Sequence, residues 1–304
     1  MKILDKWQAN NLDSDARGIS ASRRTDIPAL FGDWFENRIE AGYVEYIPAG
    51  PPRRIQASRE AKKITHFIFW SRNPAPFLPV VRKLKQNNYP QLFNITITGR
   101  APSPLEPHPP PAKDVINTVD KLTGIIPAEA ILWRFDPVIL TEKYPPEFHS
   151  SKFYELCSEL ARMVDRIAVS FTYFYSRQTL PAFKKYQEKT DDVLLESNLD
   201  LKVDLVRDFQ ATAEHFDLEV TLCCCPRLVK ETDLGATGCN SWKWATRIYP
   251  ELQETTPLEK SPTREGCGCS REVDIGVYNT CPPRVQLLLR LHGLLPGYEA
   301  PQKP

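Results

Sequence analysis

Three cysteines fall within fifteen residues near the carboxyl end of the chain, in Gly266-Cys267-Gly268-Cys269-Ser270-Arg271-Glu272-Val273-Asp274-Ile275-Gly276-Val277-Tyr278-Asn279-Thr280-Cys281, and they are three of eight in the whole sequence. The amino terminus, Met1-Lys2-Ile3-Leu4-Asp5-Lys6-Trp7-Gln8, shows no apolar run of the secretory kind. A C-x-C pair followed by a third thiol then reads as reduced thiolates held for a metal or cluster, not as a disulfide framework. Packing cysteines scatter singly through cores, whereas ligands converge on one loop. Cys267, Cys269 and Cys281 are therefore the expected metal ligands, and the competing reading is a loop whose sulfurs merely pack. Cys223-Cys224-Cys225 is a second group. On a strand, alternation sends Cys223 and Cys225 one way and Cys224 the other, so at most two could share a ligand. The histidines His66, His108, His149, His215 and His292 show no H-x-x-H or H-E-x-x-H spacing, which argues against a histidine-based zinc hydrolase.

Charged and hydrogen-bonding residues gather at three further places. Ser20-Ala21-Ser22-Arg23-Arg24-Thr25-Asp26-Ile27-Pro28 sets two arginines and an aspartate after an apolar run and before a helical pattern. The planar guanidinium fork suits carboxylate or phosphate, so Arg23 or Arg24 could anchor an anion, with Ser22 and Asp26 beside it; an Arg-Asp pair pinning the turn is the rival. Phe69-Trp70-Ser71-Arg72-Asn73-Pro74 places an aromatic ring next to Arg72 and Asn73, fit to stack a planar group, with wall packing as the competing role for Trp70. In Trp133-Arg134-Phe135-Asp136-Pro137 the two charged residues stand two apart and must share one strand face. Burying both is costly unless they pair or serve a ligand, which makes Arg134 and Asp136 the candidate catalytic residues.

The elements that position these residues follow from period. Short apolar runs at Ile19–Arg24, Phe67–Asn73, Phe93–Thr98, Ile131–Asp136, Ala168–Tyr173 and Val220–Cys225 read as strands, with Tyr43–Ile47 as a weaker seventh. Helical patterns lie between them, at Pro28–Glu40, 76–85, 114–122, Pro146–Val164 and 201–216. Strand and helix in repeated alternation predict a parallel sheet. Five of these strands carry one polar row: Ser20 and Ser22, Asn94 with Thr96 and Thr98, Arg134 and Asp136, Ser170 and Thr172, Thr221 with Cys223 and Cys225. A doubly wound sheet buries both faces under helices, so a repeated polar face predicts a barrel with a polar lumen. The expected fold is α/β, an irregular or partial TIM-like (βα) barrel of six to eight parallel strands with a C-terminal cysteine-rich segment. Thr96, Thr98 and Ser170 join the lumen as ligand-facing candidates. The expected division is an extension over 1–18, the barrel over 19–260, a cysteine-rich segment over 261–284 and an atypical tail over 285–304.

Thirty-nine Lys and Arg against thirty-eight Asp and Glu give a formal charge of +1, so no global field draws the chain to nucleic acid or an anionic membrane. No uninterrupted apolar run approaches the roughly 18 residues of a membrane span, and the expected location is cytoplasmic. G-x-G-x-x-G, P-loop and G-x-S-x-G motifs are absent from the sequence. A small-molecule substrate is the expected partner.

Taken together, SASRRTDIP at Ser20–Pro28, FWSRNP at Phe69–Pro74, WRFDP at Trp133–Pro137 and the CGC and DIGVYNTC elements ending at Cys281 resemble an uncharacterised prokaryotic family defined as a domain of unknown function. The carboxyl-terminal cysteines of that family are similar to the iron-sulfur motif of radical SAM enzymes. The resemblance runs from about Ile19 to Cys281. It implies a 4Fe-4S cluster held by three thiolates, S-adenosylmethionine on the open iron and an electron donor. The family pattern C-x-x-x-C-x-Y-C-Y-A breaks here, since Val285 and Leu288 stand where the second and third cysteines would be. A one-nucleotide frameshift is compatible with the break: GTG CAG CTA CTG CTA CGC, one encoding of Val285–Arg290, reads Cys-Ser-Tyr-Cys-Tyr-Ala when its first G is dropped and a C follows. A genuine tail with Leu287, Leu288, Leu291 and Leu294 as a helical stripe is the alternative. The leading functional expectation is thus a radical-SAM-like iron-sulfur enzyme, impaired as written. The alternatives are a non-catalytic protein with structural zinc at the same cysteines and a metal-free barrel hydrolase or lyase using Arg134 and Asp136.

Overall fold

The computed structural model describes residues 17–280 apart from 43, 47–54, 57–63, 101, 103–108, 173–178, 196–197, 237, 255–256, 261–264 and 278–279. Seven strands form one sheet: β1 (Arg17–Ala21), β2 (Ile64–Ser71), β3 (Gln91–Thr96), β4 (Ile131–Val138), β5 (Arg166–Phe171), β6 (Glu219–Leu222) and β7 (Glu272–Asp274). Every pairing is parallel, in the order β6-β5-β4-β3-β2-β1-β7. Chain order and spatial order coincide except for the last strand, which lies on the far side of the first. The fold is an open, irregular α/β sheet of seven parallel strands, a partial TIM-like barrel with β6 and β7 at its edges. The seventh strand comes from the cysteine-rich segment. Tyr43–Ile47 contributes Glu45–Tyr46 to a separate antiparallel pair with Ile55–Gln56, and Tyr43 and Ile47 are outside the described residues.

Parallel neighbours need crossovers, and helices supply them. They are α1 (Ile27–Leu30) and α2 (Gly32–Ala41) after β1, α3 (Leu78–Gln86), α4 (Ala112–Thr123) and α5 (Pro146–Leu160) after the next three strands, α6 (Thr179–Thr190) and α7 (Leu199–His215) after β5, and α8 (Pro226–Thr232) and α9 (Trp242–Ile248) after β6. Their ends carry local signals. Asn198 caps α7 by accepting from Leu201 N at 2.9 Å, Ser241 caps α9, and proline occupies the first turn of α3 and α5, where a missing N–H costs nothing. The single helix expected over Pro28–Glu40 is two, because Phe31 leaves helical geometry (φ −137°, ψ 32°) ahead of Gly32, a weak helix former.

The outward apolar rows pack against these helices in two aromatic groups. Phe67, Phe69 and Phe93 of β2 and β3 meet Phe35 of α2 and Phe77, with Phe35 within 5.5 Å of Phe67 and Phe69 and Phe69 4.8 Å from Phe93. Trp133 and Phe135 of β4 meet Phe153 of α5 and Phe209 of α7, whose rings stack at 4.4 Å. Alternation therefore holds along β2 to β5. It fails after β6, which stops at Leu222: Cys224 adopts φ 55°, a turn that sets its sulfur 3.8 Å from that of Cys223 in place of the opposite face expected for it. Phe153 is fully buried between two helices and the sheet. Truncation by Phe153→Ala should cost about 3–5 kcal/mol in urea denaturation, whereas Val193→Ala at an exposed position should stay within about 0.5 kcal/mol.

Candidate functional site

The inner face of the sheet carries Ser20, His66, Trp70, Asn94, Thr96, Arg134, Asp136 and Ser170, and all but Thr96 and Arg134 are buried. Thr96 is in register with Arg134 on the neighbouring strand. Trp70 sits at the centre. Its indole Nε1 donates to Ser20 Oγ at 3.0 Å, and the guanidinium carbons of Arg134 and Arg23 lie 4.9 and 5.3 Å from its ring. Arg134 pairs with Asp136, which also accepts a hydrogen bond from Ser170 Oγ. The two charges expected to share a strand face do so, and Asp136 is 1% exposed.

Two more arginines converge on this carboxylate. Arg72 follows β2 and feels Arg100, Asp26, Asp136 and Arg134. Burial, with the like charges of Arg100 and Arg134 against the two carboxylates, brings its pKa down to about 9. Arg100 is fully enclosed, donates from Nη1 to Pro137 O at 2.8 Å, and burial lowers it to about 10. Arg100 was not among the expected site residues; its only signal was a position just beyond the polar row ending at Thr98, and Gly99 at φ 66° turns the chain to bring it there. Asp26 holds the turn after β1, accepting from Ala29 N at 3.0 Å as the cap of α1 and from Arg72 N at 2.8 Å. Burial pushes Asp26 up to about 6 despite these bonds. Asn73 N donates to Ser71 Oγ at 3.0 Å, and Asn73 stands half-buried at the rim, while Thr98 is buried beyond the end of β3.

Ser22 and Arg24 are committed elsewhere. Asp274 of β7 accepts from Ser22 Oγ at 2.6 Å, from Arg23 N at 2.9 Å and from Gly276 N at 2.9 Å, and Arg24 Nη1 donates to Gly276 O at 3.3 Å. A Cβ on Gly276 would lie 1.9 Å from Ser22 Oγ, so the approach requires glycine. These residues tie the last strand to the first. Glu272, two residues before Asp274 on the same strand face, pairs with Arg23 and accepts from Asn240. Burial raises Glu272 to about 8, with the Arg23 charge opposing the rise. Burial also acts on Arg23, but the Glu272 charge, with Asp274 nearby, holds it protonated. Arg23 Nε and Asn94 Oδ1 are buried with no hydrogen-bond partner among the described residues.

The cysteines assemble differently from expectation. Among the described residues the Cys269 sulfur lies 3.9 Å from that of Cys239, which in turn lies 3.8 Å from that of Cys223. Hydrogen bonds from Cys223 and Cys269 lower Cys239, helped by Arg134 and Arg23, while the neighbouring sulfurs raise Cys223 and Cys269. The Cys239 sulfur thus lies between those of Cys223 and Cys269, within reach of both. Among the described residues no group of three or more His, Cys, Asp or Glu is arranged to hold a metal ion. This overturns the metal centre at Cys267, Cys269 and Cys281, and with it the 4Fe-4S cluster, the zinc alternative, the S-adenosylmethionine site, the electron donor and the radical enzyme. Cys281 and the tail from Val285 lie outside the described residues. The C-x-C spacing suggests a local ligand set, yet its inner sulfur packs against Cys239, thirty positions away.

A family model described as a domain of unknown function, DUF1848, matches residues 19–286. The chain belongs to that family. The match brings no radical-SAM-type cysteine centre with it. No curated protein matches the chain significantly. Among the described residues no helix is long and apolar enough to cross a membrane.

Raised carboxylates bind protons more tightly folded than unfolded, so their favourable contribution is complete at low pH and disappears as pH climbs through the folded value. For Glu272 that window runs from its ordinary 4.5 to about 8. Stability measured by urea denaturation between these limits should fall for the native protein relative to Glu272→Gln, by up to about 1.4 kcal/mol per pH unit.

Proposed function

We propose that the inner face binds a small organic anion, a carboxylate or phosphate ester, and supports metal-free acid-base chemistry on it of the hydrolase or lyase type. The observation that carries this reading is the convergence of Arg72, Arg100 and Arg134 on Asp136 in a buried setting. Asp26 acts on the same cluster, and burial drives the Arg72 and Arg100 pKa values down. A bound anion would be favoured at the point where desolvation makes cations most costly. Trp70 offers a flat apolar surface beside that charge, and Arg23 Nε and Asn94 Oδ1 are polar atoms still able to meet a ligand.

In this reading the arginines anchor and orient the substrate through two-pronged hydrogen bonds, which fix direction as well as charge. Asp136, held in place by Arg134 and Ser170, is the carboxylate presented at the carboxyl end of β4, the edge where barrel folds build their sites. Asp26, raised to about 6, is a second carboxyl group able to change protonation near neutral pH, although its two backbone bonds give it a structural duty as well. The candidate residues Arg23, Arg72, Arg134, Asp136, Trp70 and Ser170 form the working set, and Ser22, Arg24 and Asn73 frame it.

Thermal-shift titration with a panel of small mono- and dicarboxylates and phosphate esters, at constant ionic strength, tests the proposal. Members that fit should raise Tm saturably. Arg134→Gln or Arg72→Gln should weaken binding about 10- to 100-fold, the loss of one charge-assisted anchor, and Arg134→Lys should fall between because it keeps charge without the fork. A panel that leaves Tm unmoved, or a glutamine variant that binds as tightly as the native protein, would end the proposal.

A further inference from the structure

Five cysteines from three separate segments touch in sequence across the edge of the site. Cys224 contacts Cys223 at 3.8 Å, Cys223 contacts Cys239 at 3.8 Å, Cys239 contacts Cys269 at 3.9 Å, and Cys269 interacts with Cys267. None of the seven described cysteines is in a disulfide. The three central sulfurs are buried, while Cys224 and Cys267 at the two ends are half-buried. A row of thiols in contact, with partly accessible ends, is the arrangement that thiol-disulfide exchange uses.

The backbone decides which pair can close. A disulfide needs Cα atoms within roughly 4.4–6.8 Å, so the two chains must run close on both sides of the bridge. Around Cys239 and Cys269 they do. A Cβ on Gly238 would stand 2.3 Å from Gly268 O, and on the other side Ser270 N donates to Asn240 O at 2.7 Å and Asn240 Nδ2 to Ser270 O at 3.4 Å. Trp242 N donating to Ser270 Oγ at 2.7 Å holds the same two segments together one step further on. Cys223 and Cys224, being adjacent in sequence, and Cys267 and Cys269, one residue apart, could bridge only through small strained rings.

We propose that Cys239 and Cys269 are a redox-modification site that closes to a disulfide when a small-molecule disulfide reaches Cys267. Cys267 thiolate attacks the reagent RSSR, forming a mixed disulfide and releasing RS⁻. Cys269 passes its proton to the departing RS⁻ as it attacks the Cys267 sulfur, forming a strained, transient Cys267–Cys269 bridge, which Cys239 thiolate relieves by attacking Cys269 and returning Cys267 as a thiolate. The net change is two thiols oxidised to one disulfide while RSSR is reduced to two RSH, so the two electrons and two protons are accounted for. The final exchange needs the central sulfurs to close from 3.9 Å to about 2.0 Å, a side-chain movement between backbones already held together. Arg134 and Arg23 act electrostatically on Cys239 and favour the attacking anion.

Peptide mapping by mass spectrometry of the full chain, treated with oxidised glutathione after purification under reduction, tests the site directly. The expected result is a Cys239–Cys269 cross-linked peptide with loss of about 2 Da, reversed by dithiothreitol, and a Tm higher by about 5 °C in the oxidised form, since the bridge closes a loop of thirty residues. Cys267→Ser should slow formation at least tenfold without removing the final bridge. Cys157→Ser, at a buried cysteine in α5 away from the row, should change nothing. Recovery of only Cys223–Cys239, persistent glutathione adducts without the internal link, or stoichiometric metal in the untreated protein that protects the thiols would each overturn the proposal. The mapping is made on the native sequence, so poor folding of a variant cannot mask the answer, and it does not depend on whether an anion binds at Arg134.

Discussion

Charge that must leave water on the inner face of an open sheet governs the arrangement of everything around it. Arg23, Arg72, Arg100 and Arg134 cannot readily shed their protons, and each is partly or wholly enclosed. Every one therefore requires compensation close at hand. The structure meets that need from distant parts of the chain: Asp26 and Asp136 serve the arginines beside β2 and β4, while Glu272 serves Arg23 at the sheet edge. The cost shows in the carboxylates, where burial holds Asp26 near 6 and Glu272 near 8. Helices can cover the outer face because that face is apolar, and the aromatic groups around Phe35 and Phe153 provide the packing that the polar interior cannot.

The seventh strand answers a topological problem with a polar device. A strand of three residues has little ladder of its own, and β7 pairs with β1 through only Gly18–Ser20. Asp274 extends the attachment, collecting two hydroxyl and two backbone donors from Ser20, Ser22, Arg23 and Gly276. One carboxylate thus locks the chain end to the loop that carries Arg23 and Arg24. Ser22 and Arg24, which by residue type alone suit an anion, are recruited for this purpose, so much of the SASRRTDIP motif is scaffold.

What could be read from sequence was whatever depends on near neighbours. Period-two alternation marked the polar row, put Arg134 and Asp136 together and pointed to a partial or irregular parallel barrel, because strand faces are fixed by local geometry. Ser170 followed from the same pattern, while Trp70 and Arg72 stood out by residue type at a strand end. Glu272 and Asp274 were not found, since their partners are about 250 residues away and only the placement of β7 beside β1 brings them close. Arg100 was hidden by a proline-rich stretch on one side and a left-handed glycine on the other. The cysteines show the same limit in reverse: C-x-C spacing is local and prominent, but Cys239, to which Cys269 turns, has no spacing that announces it. Alternation also failed at Cys223–Cys225 because the strand had ended, and a turn obeys no period.

Arg134 is the residue through which the two polar regions communicate. It pairs with Asp136 on one side, lies over Trp70 in the middle, and its charge reaches Cys239 on the other. A guanidinium so placed cannot alter its relation to one partner without changing the field at the rest, because in a poorly solvated interior each charge is felt over several ångströms. A change at Asp136 and a change at Cys239 are therefore two perturbations of a single electrostatic balance. The sheet supplies the rigid frame that makes this coupling possible, since Arg134, Asp136 and Trp70 all project from strands whose opposite face is clamped by aromatic packing. Position on one face, more than contact along the sequence, is what joins the arginine cluster to the thiol row.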